Sequence, residues 1–193
     1  MANASTTGFG FRPIKKIAQN YNNAALSEYN VAASSALISH ACLVQLTADG
    51  VVLASGNTTT NNLGTLNGVF YTDATSNKPT FSNFSPATNT ATDIVAFIND
   101  DPMQMYEVMS ADTAFNQNEV GHCADQVLEA GATPLFVSKS KISATTANTQ
   151  AQLFIMGVSR DPDHSDTTAE GFALRVQIRE HILIGNDTQR AGI

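Results

Sequence analysis

The sequence predicts an all-β fold: a compact β-barrel or β-sandwich body with an extended N-terminal arm and little helix. Three observations carry the prediction. Phe172, Leu174, Val176 and Ile178 alternate with Ala173, Arg175, Gln177 and Arg179, which sets one face in a core and one in solvent. Short apolar runs of strand length recur and are cut by turn-forming groups such as Asp100-Asp101-Pro102 and Arg160-Asp161-Pro162-Asp163. Only 14% of the 193 residues are charged, while Asn, Thr, Ser and Ala abound. That neutral polar surface suits an all-β particle or extracellular-type protein better than a helical cytosolic enzyme.

Residues 1–10 are small and polar around a lone Phe9. Phe11-Arg12-Pro13-Ile14-Lys15-Lys16-Ile17 follows, held extended by Pro13. Phe9, Phe11, Ile14 and Ile17 have no evident core of their own, so this stretch packs either across its own body or on a neighbour. The chain divides into an arm over 1–25, a β-rich body over 26–185 and a tail over 186–193. Asn20 to Asn23 reads as a turn-rich break and Leu26 to Val31 as a short strand. Leu37 to Leu46 and Val51 to Ala54 make a hairpin about Thr47-Ala48-Asp49-Gly50, and Ser55 to Asn62 is a polar loop.

Asn67-Gly68 tolerates positive φ and is expected to turn the chain before the strand Val69 to Thr72. Pro79 to Pro86 is a second, less regular segment. Thr92 to Asn99 is nearly all apolar, stopped by Asp100-Asp101-Pro102, and Met105 to Met109 returns. Asp112 is placed to cap a helical turn over Thr113 to Gln117. Val120 to Leu128 fits either a strand or a short helix. Leu135 to Ile142 is strand-like, Ser143 to Gln150 another polar loop, and Leu153 to Val158 a central strand. The count is nine or ten strands.

Charge is unevenly placed. Residues 1–27 hold Arg12, Lys15 and Lys16 and no acid, so the arm is +3 and the rest −10 within a net −7. Phosphate binding needs clustered cations, so nucleic acid is not an expected partner. Cys42 and Cys123 are too few for a disulfide framework, and their apolar settings suit free buried thiols. No apolar run has transmembrane length and no signal peptide is read, so no membrane partner is expected.

The histidines, cysteines and carboxylates form no catalytic pattern. His40 and Cys42 share a strand face, but His122 and adjacent Cys123 face opposite ways, and neither spacing fits a zinc site. Asp161, Asp163 and Asp166 lack the glycine and glutamate of a calcium loop, and a turn explains them. No Gly-rich phosphate loop, nucleophile elbow or identifiable carboxylate pair occurs. The expectation is no enzyme, no metal and no cofactor.

FRPI, LTADGVV, the central LNGVFYTD…PTFSNFSPATNTATDIVAFINDDP…YEV and the late LFIMGVSRDPD…ALRVQIREHIL occur in this order. The series, spanning most of the chain, resembles tailed-bacteriophage head decoration (cement) or minor capsid proteins. The resemblance implies a non-enzymatic protein made in the host cytoplasm that binds the outer surface of the phage head, with the major capsid protein as partner. It also implies a homo-oligomer, a trimer in preference to a dimer. Phe9, Phe11, Arg12, Pro13, Ile14, Lys15, Lys16 and Ile17 are then the expected capsid-binding residues. Apolar anchors at about 1.5–3 kcal/mol each supply affinity, and exposed ion pairs at roughly 0–1 kcal/mol supply steering. On this reading residues 1–19 are dispensable for folding. The rival expectations are a carbohydrate- or host-surface-binding β module and a tail or connector component.

Overall fold

The computed structural model describes residues 3–17, 26–33, 35–56, 61–87, 89–148 and 151–184, leaving aside the side chains of 144–148. The expected break at Asn20 to Asn23 and the tail over 186–193 lie outside the described residues. The protein is all-β: among those residues, two antiparallel sheets and two single turns of 3₁₀ helix make up the regular structure.

The strands are β1 (Arg12–Lys16), β2 (Leu26–Asn30), β3 (Leu43–Thr47), β4 (Gly50–Leu53), β5 (Gly64–Thr72) and β6 (Pro79–Ser82). They continue with β7 (Val95–Asn99), β8 (Gln104–Met109), β9 (Cys123–Val127), β10 (Lys141–Asn148), β11 (Leu153–Val158) and β12 (Ala173–Ile178). The first sheet runs β1-β8-β12-β11-β9-β10, and the second β2-β7-β5-β3-β4 with β6 also on β5.

Each sheet bends until its two sides touch. In the first, Ser110 bridges Ile142 of β10, and the Ala111 N–H donates to the Ile142 carbonyl at 2.8 Å. In the second, Val31 bridges Val51 of β4, and the Ala32 N–H donates to the Val51 carbonyl at 3.0 Å. Each curled sheet encloses its own core. Tyr106, Leu153, Ile155, Phe172, Leu174 and Val176 fill the first, and Ile38, Val44, Leu66, Val69, Ala96 and Ile98 the second. Leu43 and Ala54, from the second sheet's side, enter the first core and join the two.

β12 keeps the alternation read from the sequence, with Leu174, Val176 and Ile178 buried and Arg175 and Gln177 half-buried. Several segments differ from expectation. Asn67-Gly68 does not turn the chain. It lies inside β5, where the register against β7 slips between Leu66 and Gly68, a bulge. The strand expected from Leu37 starts only at Leu43, because Ala41 takes φ 59° and interrupts it. The helical turn falls at Gln117–Glu119 behind Asn116, not behind Asp112, whose carboxylate instead accepts from the Ser110 hydroxyl. Val120 to Leu128 resolves as strand β9. The loop expected from Ser143 is mostly β10, whereas Leu135 to Ser140 is turn and irregular chain.

The largest correction concerns residues 1–25. Residues 3–17 belong to the body. β1 pairs with β8 from Arg12↔Glu107 to Lys16↔Gln104, and Phe11 is 0% exposed within the first core. Upstream, the Ala4 N–H donates to the Asp163 carbonyl, and the Asn3 amide bonds the Asp166 and Glu170 carbonyls. Two glycines make the close passage possible. A Cβ on Gly8 would sit 2.0 Å from the Lys139 carbonyl oxygen, and Gly10 adopts φ +74° against Ala41. β8 is buried along its whole length because β1 covers its outer edge.

Candidate partner-binding surface

The expected binding residues are largely engaged within their own chain. Phe11 lies in the core and is no partner anchor. Phe9 is half-buried against the His164 ring, with the Arg12 guanidinium 4.2 Å from its ring centre. Arg12 also pairs with Glu107 at 3.5 Å, and the Ser159 hydroxyl meets the same buried carboxylate. Lys16 pairs with Asp101. Burial pushes the Asp101 carboxyl up, but Lys16 and the Met103 N–H outweigh it and hold the group below its ordinary value. The Lys15 carbonyl accepts from Gln104 Nε2, and the Ile17 N–H donates to the Met103 carbonyl. Pro13 and Ile14 are half-buried on β1. The arm's apolar and cationic groups therefore meet mainly this chain's own core and acids.

One partly exposed apolar surface lies elsewhere, on the outer face of the second sheet. Along β7, Ala96 and Ile98 point into the second core, so Val95 and Phe97 point out. On β5, Val69 and Tyr71 pack on that core and Phe70 faces outward. Register sets Phe70 between Val95 of β7 and Phe81 of β6. Phe81 is 76% exposed, its ring 4.6 Å from that of Phe70. Across the row on β2, Glu28 stands opposite Phe97.

Beyond β6 the surface continues into the turn at 132–137. Asn83, two residues past Phe81, donates from Nδ2 to the Leu135 carbonyl at 2.6 Å, and Phe84 stacks on Phe136 at 4.0 Å. The turn is closed by the Phe136 N–H on the Ala132 carbonyl. Leu135 is 68% exposed although its backbone is held from behind. Beside it opens a cleft of about 330 Å³ lined by Phe9, Pro134, Leu135, Val137 and Lys139 among others. Large apolar groups fixed in place at a surface mark an interaction site more than scattered exposed ones do.

The signal for this surface was present in the sequence. Ile94 to Ile98 is apolar at five successive positions, which means both faces of β7 are apolar. The run has strand length, and one of its faces points out of the body. Phe81 falls in the less regular segment Pro79 to Pro86, which forms the short strand β6 over Pro79–Ser82.

Among the described residues, no three His, Cys, Asp or Glu side chains gather as metal ligands. The Asp161 carboxylate caps a single 3₁₀ turn, Pro162–His164, by accepting from the Asp163 N–H. Among the described residues, no helix is long and apolar enough to cross a membrane. Compared with family models, curated proteins and solved structures, the chain matches none.

Proposed function

We propose that this protein is a non-enzymatic structural component of a tailed-phage virion. In this reading it binds the outer surface of the head as a homo-oligomer and stabilises contacts between major capsid protein subunits. The observation that carries the reading is the fixed apolar surface from Phe97 and Phe70 through Phe81 to Leu135, which holds the two most exposed large apolar side chains among the described residues, Phe81 and Leu135. Such a surface suits protein–protein contact. The acidic charge also suits the outside of a DNA-filled shell, since a net −7 chain is repelled by packaged nucleic acid. The ordered series of resembling segments points the same way.

The test is co-sedimentation of the purified chain with expanded heads that lack it, followed by heating the heads with and without it. Binding at fixed stoichiometry with raised heat resistance is expected, and Phe81→Ser should weaken it. Failure to co-sediment at micromolar protein refutes the reading. One observation favours a second reading, a glycan-binding module: the outward Phe70–Phe81 pair resembles the aromatic platforms on which sugars stack. Saturable binding on a glycan array, lost in Phe81→Ser, would select it.

A further inference from the structure

We propose that the apolar surface is the interface of a two-fold dimer of this chain. The inference rests on the reading of this surface as a protein-contact site and is independent of the virion. Its basis is the polarity of charge along the surface. At one end, on β2, stands the carboxylate of Glu28 opposite Phe97, while that of Asp93, just before β7, accepts from the Thr72 N–H at the end of β5. In the middle lie Phe97, Val95, Phe70 and Phe81. Past Leu135, at the other end, come Lys139 on the cleft wall and Lys141, which lies opposite Val127 at the start of β10.

Other charges nearby do not cancel this polarity. Asp73 and Lys78 sit together at the tip of the β5–β6 hairpin, joined by the Asp73 N–H on the Lys78 carbonyl at 3.0 Å, and their charges offset. Glu129 lies beside Lys139, whose N–H it accepts through its carbonyl. It reduces the basic end without reversing it.

A two-fold axis through the middle of such a surface lays each acidic end on the partner's basic end, so the favourable contact is made twice. The same operation places Phe81 of one copy over the partner copy's Leu135 and its cleft of about 330 Å³. That is room for one large side chain, at the small end of cavities that take whole ligands. Both anchors are fixed beforehand, Phe81 by Phe70 and the Leu135 turn by Asn83 and Phe84, so little side-chain freedom is lost on docking.

The experiment is sedimentation velocity on the purified full chain from about 1 to 100 µM, with no heads present, at low and high salt. A concentration-dependent dimer weakened by salt is expected. Phe81→Ser and Leu135→Asp should each raise its dissociation constant at least tenfold with melting temperature nearly unchanged. The decisive arm is a charge exchange: Glu28→Lys with Asp93→Lys in one variant, Lys139→Glu with Lys141→Glu in the other. Neither should dimerise alone, and an equimolar mixture should. If Asp93→Lys perturbs folding, Glu28→Lys alone serves in its place. A wild-type chain monomeric at 100 µM, a trimer or larger ring, or a mixture no more associated than its components overturns the proposal. Head binding by a chain that stays monomeric would overturn the dimer and the homo-oligomer of the virion reading, and leave head binding itself standing.

Discussion

Replacing Phe11 by Ala separates a strand built into the fold from an arm reaching for another chain. In the structure the Phe11 ring is fully buried with Tyr106, Val108 and Ile155 in the first core. Truncating such a ring costs about 3–5 kcal/mol, the transfer loss plus the cavity left behind. Set against a total stability of about 5–15 kcal/mol, that is a large fraction. At about 2–4 °C per kcal/mol for a domain of this size, the melting temperature should fall by roughly 6–20 °C. The assay is urea unfolding followed by far-ultraviolet circular dichroism on the purified chain, with calorimetry for the thermal shift. Phe81→Ala is the comparator. It gives up mainly the contact with Phe70, about 0.5–1.5 kcal/mol. A Phe11→Ala loss below about 1 kcal/mol in the isolated protein would refute the placement of this residue. Deleting residues 1–17 should be worse still. It uncovers the edge of β8, removes Arg12 from the buried Glu107 carboxylate and strips the Lys15 carbonyl from buried Gln104.

Two further predictions concern buried titratable groups. His181 is fully buried, and burial lowers its pKa below the ordinary 6.5 despite Asp100 and Asp101 pulling the other way. The unfolded chain therefore takes up a proton first, and stability should decline as pH falls below about 6.5 with a slope approaching 1.4 kcal/mol per pH unit. Glu180, raised by burial, acts with the opposite sign, its contribution being present at low pH and lost as pH rises through its folded value. His181→Asn should flatten the decline between pH 6.5 and 5, and an unchanged slope would exclude His181 as its source. Cys42 and Cys123 are free and buried, with thiol pKa values pushed up by burial. A thiol reagent at pH 8 should label neither in the folded chain within minutes and both in urea. Prompt native labelling of Cys42 would contradict its position in the second core.

What could be read from the sequence was what adjacent residues determine. The alternation at Phe172 to Arg179 became β12, the Asp-Pro stops ended β7 and β11, and Thr47 to Gly50 turned β3 into β4, because side-chain period and turn chemistry are local properties. Destinations set by pairing far along the chain left no such mark. Nothing near Phe11 announces that β8, about ninety residues later, offers the edge it joins. Nothing in Ile94 to Ile98 says which of two apolar faces will be covered. Charge misled for the same reason. The three cations of the first 27 residues stand apart from the acids in sequence, yet folding sets Arg12 beside Glu107 and Lys16 beside Asp101. An asymmetry along the chain thus became local pairing in space. Lys139, unremarkable in the sequence, instead comes to line the cleft beside Leu135, at the far side of an apolar surface that begins at Glu28. Charge position along a β chain predicts a binding site only once strand order is known, because strand order decides which charges become neighbours.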